Sequence, residues 1–453
     1  MDKKRVCLYE QLYLTLKEDI ISGKYRKGVK LPSKRSLSEQ YRVSVITVEN
    51  ALEQLIAEGY INAVERSGCF VQYSKSAGGE VLPKKGERPP ESDISGEIPA
   101  EKSLYSGLFP FTVWARLMRA VILEQESSLL QPVRSGGAAE LKAAICDYLY
   151  RCRGLYVHPR QIIIGSGAEY LYNLLIQFLG RDKKYGLEDP AYNVLTRIYG
   201  LNGTDCAYIG LDRQGLSVKE LRESGVEVVH ISPAHHFPTG IVMPITRRKE
   251  IMAWAEEASD RYIIEDDYDS EFRWTGRPLP PMFGSDPSGR VIYINTFSRT
   301  IAPSVRISYL CLPLKLLDLW EEKMGFYACP VPAFEQYTLA KFISEGYFER
   351  HINRMRKHYR RVRETVLKAV ASCAGTEIRE ENAGLHFILR ANNGAERIIE
   401  AAGKCGIRIT PISHYYNNST APKNVYAVNY ANADIDGVER EFERAREGRE
   451  GRE

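Results

Sequence analysis

Four short phrases in this 453-residue chain carry side chains able to do chemistry. In Ile263-Ile264-Glu265-Asp266-Asp267-Tyr268-Asp269, carboxylates follow an apolar, strand-like run. The C-terminal end of such a strand is where open α/β sheets bind ligands. A carboxylate there can join a metal site or keep a pyridinium nitrogen protonated, and no His is near in sequence. The run Asn295-Thr296-Phe297-Ser298-Arg299-Thr300-Ile301-Ala302-Pro303-Ser304-Val305-Arg306 gathers hydroxyls and guanidinium groups, good donors for a phosphate. In Ile162-Ile163-Ile164-Gly165-Ser166-Gly167-Ala168-Glu169 a strand passes through a small-residue turn into a helix. Backbone N–H groups at such a helix start suit an anion, although many such turns are purely structural. Glu188-Asp189-Pro190-Ala191-Tyr192 places a Tyr just past a strand, to stack on a flat heteroaromatic ring or simply to pack.

The elements that must position these phrases alternate. From about Phe109 onward, apolar strands at 161–165, 226–231, 262–266 and 291–295 are separated by amphipathic helices. That alternation predicts an α/β domain with a mostly parallel sheet, over about 109–445. Before it, residues 73–108 mix Pro, Gly and charge without apolar periodicity and read as a solvated linker.

The first 72 residues have a different pattern. Tyr9, Leu12, Tyr13, Leu16 and Ile20 fall at helical spacing. Ser33 is a suitable N-cap for a helix to Tyr41, and Ser44 for one from Val45 to about Glu58. Val48, Leu52, Leu55 and Ile56 are the expected buried stripe of that last helix, with Thr47, Asn50 and Gln54 opposite. Two short helices joined by a tight turn are the helix-turn-helix arrangement, whose second helix reads the major groove. Val45 and Ile46 at its tip suit thymine methyl groups. Arg66-Ser67-Gly68 reads as the tip of a hairpin wing.

Composition excludes several classes. The chain has 62 Lys and Arg against 58 Asp and Glu, net +4, with 44% hydrophobic residues. This is enough for a sizeable core and unlike a disordered or collagenous chain. No run has the ~18 apolar residues of a membrane span, and no secretion signal is seen at the N-terminus. Nine scattered Cys without a CxxC pair indicate a reduced, cytoplasmic setting and no structural metal. Residues 1–72 hold twelve Lys and Arg against nine Asp and Glu, leaving +1 for the rest. The basic excess at the N-terminus hints at nucleic acid.

The ordered set of first helix, Leu31-Pro32-Ser33-Lys34-Arg35, the turn at 42–44, the third helix, Gly59-Tyr60-Ile61 and basic wing resembles the GntR family's winged helix-turn-helix. By that resemblance Ser33, Arg35, Ser44, Thr47, Asn50, Arg66 and Gly68 contact a double-stranded DNA operator. Val45 stands where many members place an Arg. The four chemical phrases, in order, resemble a fold-type I, pyridoxal-phosphate-dependent aminotransferase domain over about 110–440. Pro233-Ala234-His235-His236-Phe237-Pro238-Thr239-Gly240 narrows the resemblance to the MocR subfamily, GntR-type regulators fused to such a domain. The resemblance implies a homodimer and a small-molecule effector. It also implies that Asp266 meets the cofactor's pyridine nitrogen and Tyr268 its phenolic oxygen, with Tyr192 stacked on the ring. Ser166, Gly167, Ala168, Thr296, Ser298 and Arg306 hold the phosphate, and His235 and Phe237 line the site.

One position departs from the family. Where its members carry the Schiff-base Lys, this chain has Arg299. A guanidinium offers no free amine near neutral pH. The expectation is a regulator that binds pyridoxal phosphate, an amine or an amino-acid-like effector without a covalent bond, Arg299 serving as an anion donor or as a disabling substitution. The alternatives are a pyridoxal-phosphate-dependent aminotransferase with an appended DNA-binding domain, and a binding-only module with a dimerisation scaffold. Val194 and the Arg-free segment 425–430 remove groups expected to hold an amino-acid carboxylate.

Overall fold

The structure, a computed structural model, describes residues 7–65, 67–73, 105–276, 278–380, 382–392 and 394–447. The expected linker falls almost wholly outside them, as does Arg66. The chain divides into two compact units, Met1–Glu97 and Ile98–Glu453.

In the first unit, α1 (Leu8–Ile21) buries Leu12, Leu16 and Ile20. They pack on Leu37 of α2 (Lys34–Tyr41) and on Val48, Ala51, Leu52 and Leu55 of α3 (Val45–Ala57). Both short helices start at serines: Ser33 Oγ accepts from Ser36 N at 3.2 Å, and Ser44 Oγ from Thr47 N at 3.1 Å. Arg42, in left-handed conformation at φ 54°, ends α2 and makes the turn. The expected stripe of α3 is corrected at one position. Ile56 is 37% exposed, and Ala51 is buried instead, because 100° per residue carries position 56 past the edge of a stripe centred on 48, 52 and 55. β1 (Ile61–Val64) and β2 (Gly68–Val71) form the wing's antiparallel ladder. Val29 and Leu31 pair with β2 on its other edge. Removing the cap in Ser33→Ala is expected to destabilise this unit by about 1 kcal/mol, read as a lower melting midpoint.

In the second unit the first element among the described residues is a short helix over Tyr105–Leu108, ahead of Phe109, the expected domain start. Its main sheet has eight strands: β3 (Ile162–Gly165), β4 (Lys184–Asp189), β5 (Asp205–Asp212), β6 (Gly215–Leu216), β7 (Val228–Ile231), β8 (Tyr262–Asp267), β9 (Val291–Thr296) and β10 (Ser308–Cys311). Their order is β3-β10-β9-β8-β7-β4-β5-β6. β5, β4, β7, β8 and β9 run parallel, and β10 is antiparallel to both neighbours. Alternate residues of one strand enter different cores. Ile163, Ile264, Ile292 and Leu310 pack with the helix Ala168–Leu179. Ile162, Tyr293 and Tyr309 pack with Ala139–Arg153, and Ile263 and Val291 with Ile245–Glu256. Both faces are therefore covered, which is why the strands read as continuous apolar runs. A four-stranded antiparallel sheet, β11 (Thr376–Arg379), β12 (His386–Ala391), β13 (Arg408–Pro411) and β14 (Val425–Asn429), follows the 25-residue helix Tyr347–Ala371.

Candidate functional site

At the C-terminal ends of the parallel strands a cavity of about 160 Å³ opens. β4 contributes Glu188, β8 Asp266 and β9 Thr296, while the segment after β7 contributes Ser232, His236 and Phe237. Parallel strands whose crossovers lie on both faces bring these residues, far apart in sequence, to one rim.

One end of the cavity is acidic. Asp266 Oδ2 accepts from Tyr172 Oη at 2.5 Å and lies 3.5 Å from His230 Nε2. His230 Nδ1 is in turn 3.0 Å from Tyr199 Oη. The neighbouring carboxylates turn elsewhere, so the run at 265–269 does not converge on one point. Glu265 accepts from the backbone N–H of Met282 and Phe283, and burial pushes its carboxyl up to about 7. Asp267 forms a buried ion pair with Arg153 at 2.6 Å and accepts from Tyr293 Oη. Asp269 holds His235 Nδ1 at 2.9 Å.

The other end is built for an anion. Ala168 opens a helix whose preceding residue, Gly167, has φ 91°. A Cβ on Gly167 would lie 2.5 Å from Arg306 Nη2, so only glycine lets that guanidinium approach the helix start. Arg306 Nη2 also pairs with Glu169 at 3.0 Å. Ser298 N donates to Thr296 Oγ1 at 3.1 Å, and Ser298 Oγ is buried without a partner. Arg299 also lines the cavity, and its charge acts on Tyr192, Tyr268 and His386. Burial raises the Tyr268 phenol well above its ordinary range, with Asp269 adding to the rise and Arg299 opposing it.

Of the residues expected here, Ala168, Tyr192, Phe237, Asp266, Tyr268, Thr296, Ser298, Arg299 and Arg306 line the cavity. Ser166 and Gly167 sit in the turn just before Ala168 and do not line it. His235 is a correction: it is buried and does not line the cavity; its Nδ1 lies 2.9 Å from Asp269 and 3.4 Å from the hydroxyl of Tyr268, which does line it, and its ring packs on Gly384. A Cβ at Gly384 would come within 2.0 Å of its ring. His236 and His230 line the cavity instead. His235, Asp269 and His386 form a buried group with side-chain atoms within 4.8 Å of one another.

Sequence reading passed over Tyr172, Glu188, His230, Ser232 and His236 as cavity residues. Glu188 had a usable signal, a carboxylate one residue before the end of a buried strand. Its Oε2 accepts from Ser232 N at 2.9 Å, its Oε1 has no partner, and burial pushes its carboxyl up to about 8, Asp266 adding to the rise. A carboxyl raised from 4.5 to about 8 on folding binds more protons folded than unfolded between those values. Its contribution to stability is therefore lost as pH climbs through that window. Glu188→Gln is expected to melt increasingly above the unmodified chain as pH rises from 5 to about 9, in paired thermal scans. A difference independent of pH would contradict this.

In the first unit Arg35 and Asn50 are exposed, Thr47 is partly exposed, and Val45 and Ile46 are 40% and 67% exposed. Ser33 and Ser44 serve as the caps described above. Gly68, at φ 111°, is exposed where the wing strand begins.

A winged helix-turn-helix joined to a fold-type I aminotransferase-like unit defines a class of regulator. Residues 8–71 match the bacterial regulatory proteins of the gntR family, and residues 103–440 match aminotransferase class I and II. The chain is 39% identical to the HTH-type transcriptional regulator YdeL of Bacillus subtilis, over 92% of each chain. It is 31% identical to the HTH-type pyridoxine biosynthesis transcriptional regulator PdxR of Corynebacterium glutamicum, covering 92% of this chain and 90% of that one. Identity to the probable rhizopine catabolism regulatory protein MocR of Rhizobium meliloti is 30%, covering 95% and 91%. The kynurenine aminotransferase of Pyrococcus horikoshii shares the fold, with TM-score 0.65 and 24% identity over 75% of this chain and 87% of that one. The chain belongs to the GntR-family transcriptional regulators of the MocR type, with an aminotransferase-like domain.

Proposed function

We propose that this chain is a cytoplasmic, operator-binding regulator whose second unit senses pyridoxal phosphate, alone or with an amine or amino-acid-like effector, without a covalent bond to the chain. The observation that carries the reading is Arg299. It lines the same cavity as Asp266 and Arg306, at the sequence position where the resemblance places an amine. The residues present fit the cofactor. The unpartnered Ser298 Oγ, the approach of Arg306 allowed by Gly167, and the helix start at Ala168 suit a phosphate. Asp266, fixed by Tyr172, suits a protonated ring nitrogen. Tyr192 and Phe237, edge to face at 5.9 Å, offer apolar walls for a flat ring.

When bound, pyridoxal phosphate supplies an aldehyde that reacts with amines. In this chain Arg299 would contribute charge and hydrogen-bond donors, and Asp266 would accept a hydrogen bond from the protonated ring nitrogen. Arg35, Thr47, Asn50 and the wing face DNA in this reading. Two copies would address two half-sites, and a ligand favouring one arrangement of the pair would shift operator occupancy. The exposed Leu123, Leu130 and Phe326, at 69%, 81% and 77%, supply apolar surface suited to a homodimer. No helix among the described residues is long and apolar enough to cross a membrane.

The test is equilibrium binding of pyridoxal phosphate by the full chain, with thermal melting alongside. Saturable binding that dialysis reverses, with a raised melting midpoint, is the expected result. Absence of both across a panel of pyridoxal phosphate, amines and amino acids would leave the second unit as a scaffold only.

A further inference from the structure

The nearly neutral charge of the second unit conceals one strongly basic element. The helix Tyr347–Ala371 carries eight Lys and Arg against Glu349 and Glu364. Its inner face is fixed by Phe348, Ile352, Met355, Tyr359, Val362 and Val366, all buried. The same period places Arg350, Arg354, Lys357, Arg361 and Lys368 on the exposed side, with Arg360 beside them. They are separated by three, four or seven residues, one stripe along the helix. Glu349 is paired with Arg151, and Glu364, the one exposed acidic residue on the helix, falls in the same row between Arg361 and Lys368, leaving the stripe a net excess of four charges. Among the described residues no carboxylate forms an ion pair with the five. Arg350 and Arg354 use one nitrogen each on the backbone oxygens of Glu345 and Leu108, which holds them in place. At 1.5 Å per residue the stripe runs about 27 Å, the length of about eight base pairs.

We propose that this stripe is a second, sequence-independent contact for the phosphate backbone of duplex DNA, on the sensing unit itself. The inference rests on the operator-binding reading above. Three features select DNA as the occupant. The stripe is a line of charge, complementary to a regularly spaced polyanion. No large apolar residue is exposed on this helix, which disfavours a membrane surface or the apolar anchors of a protein interface. The same chain also carries a DNA reader, which brings that polyanion to a high local concentration. Phosphate contacts of this kind add affinity and salt dependence without reading bases.

The experiment uses the full chain and a mixed-sequence duplex of about 60 base pairs, a length generous enough for both contacts. Affinity is followed by fluorescence anisotropy between about 50 and 200 mM salt, the range over which phosphate contacts are most visible. The variant Lys357→Gln/Arg361→Gln/Lys368→Gln removes three charges whose side chains form no hydrogen bond or ion pair among the described residues. It should flatten the slope of log affinity against log salt by about 2 to 3 and weaken low-salt binding by tenfold or more, on the order expected for three lost phosphate contacts. Lys357→Arg/Lys368→Arg should retain the slope. If the triple variant is poorly folded by thermal melting, Lys357→Gln/Lys368→Gln replaces it, with a slope change of about 2. A slope equal to that of the unmodified chain overturns the proposal, and a change in dimerisation in its place would assign the stripe to a protein contact. Arg35→Gln separates the two readings. If it weakens DNA binding while the stripe variants do not, only this inference falls; if neither has an effect, the operator-binding reading falls as well.

Discussion

Arg299→Lys should convert reversible retention of pyridoxal phosphate into covalent retention. Incubated with pyridoxal phosphate, reduced with borohydride and dialysed, the variant should keep close to one cofactor per chain, with the added mass on the peptide containing residue 299. The unmodified chain should keep almost none and lack the visible absorbance band that marks the bond. A lysine amine is a nucleophile once deprotonated, and a nearby cation lowers its pKa. Arg306 lines the same cavity. Lys is also shorter than Arg and leaves the wall formed by Tyr192 and Tyr268 in place, so the fold has no reason to change. Two results would sink the reading. Borohydride fixation within the cavity of the unmodified chain would show that covalent attachment does not need residue 299. A variant that binds cofactor but gives no adduct would show that residue 299 does not face the aldehyde.

The second large effect is at Asp266. Asp266→Asn should weaken pyridoxal phosphate binding roughly 10- to 100-fold, since a hydrogen bond involving a charged group is worth about 1.5–3 kcal/mol. The Asn side chain keeps an acceptor for Tyr172, so the buried phenol is not stranded and the melting midpoint should move little. Arg306→Gln provides the comparison. It removes a donor at the anion-binding end and should weaken both pyridoxal phosphate and inorganic phosphate, whereas Asp266→Asn should leave inorganic phosphate unaffected. Equal binding of pyridoxal phosphate by Asp266→Asn and the unmodified chain would remove Asp266 from the site. Loss of inorganic phosphate binding in both variants would instead indicate a general disturbance of the cavity.

The elements were legible wherever their burial is one-sided or complete. Leu12, Leu16 and Ile20 recur at helical spacing and form α1. Ser33 and Ser44 mark helix starts because a side-chain oxygen can satisfy an otherwise orphaned N–H. Apolar runs at 162–165 and 291–296 are strands covered on both faces. At Ile56 the same reasoning overran the edge of the stripe by one position, where a few degrees decide between core and solvent.

The site was legible to the extent that its chemistry lies in contiguous phrases. Asp266, Tyr268, Thr296, Ser298, Arg299 and Arg306 come from two such phrases and meet in one cavity. Tyr172 and His230 come from other segments, and nothing in their own surroundings marks them as neighbours of Asp266; Glu188 lies in the phrase at 188–192, and only the fold brings it into the cavity with Asp266. Of the adjacent residues His235 and His236, it is His236 that lines the cavity, while His235 lies against the lining residue Tyr268. The one-residue step between them separates a side chain held by Asp269 and packed on Gly384, both distant in the chain, from one that reaches the cavity.

Local pattern therefore specified this protein's two kinds of unit, its secondary elements and the presence of Arg299 in place of an amine. Those depend on periodicity and residue type, which act over a few residues. Which carboxylate of 265–269 faces the cavity, which histidine joins it and which glutamate is held protonated beside it depend on sheet order and crossover connections. That order is settled by burying both faces of the whole sheet at once, a global balance that leaves no mark on any single segment.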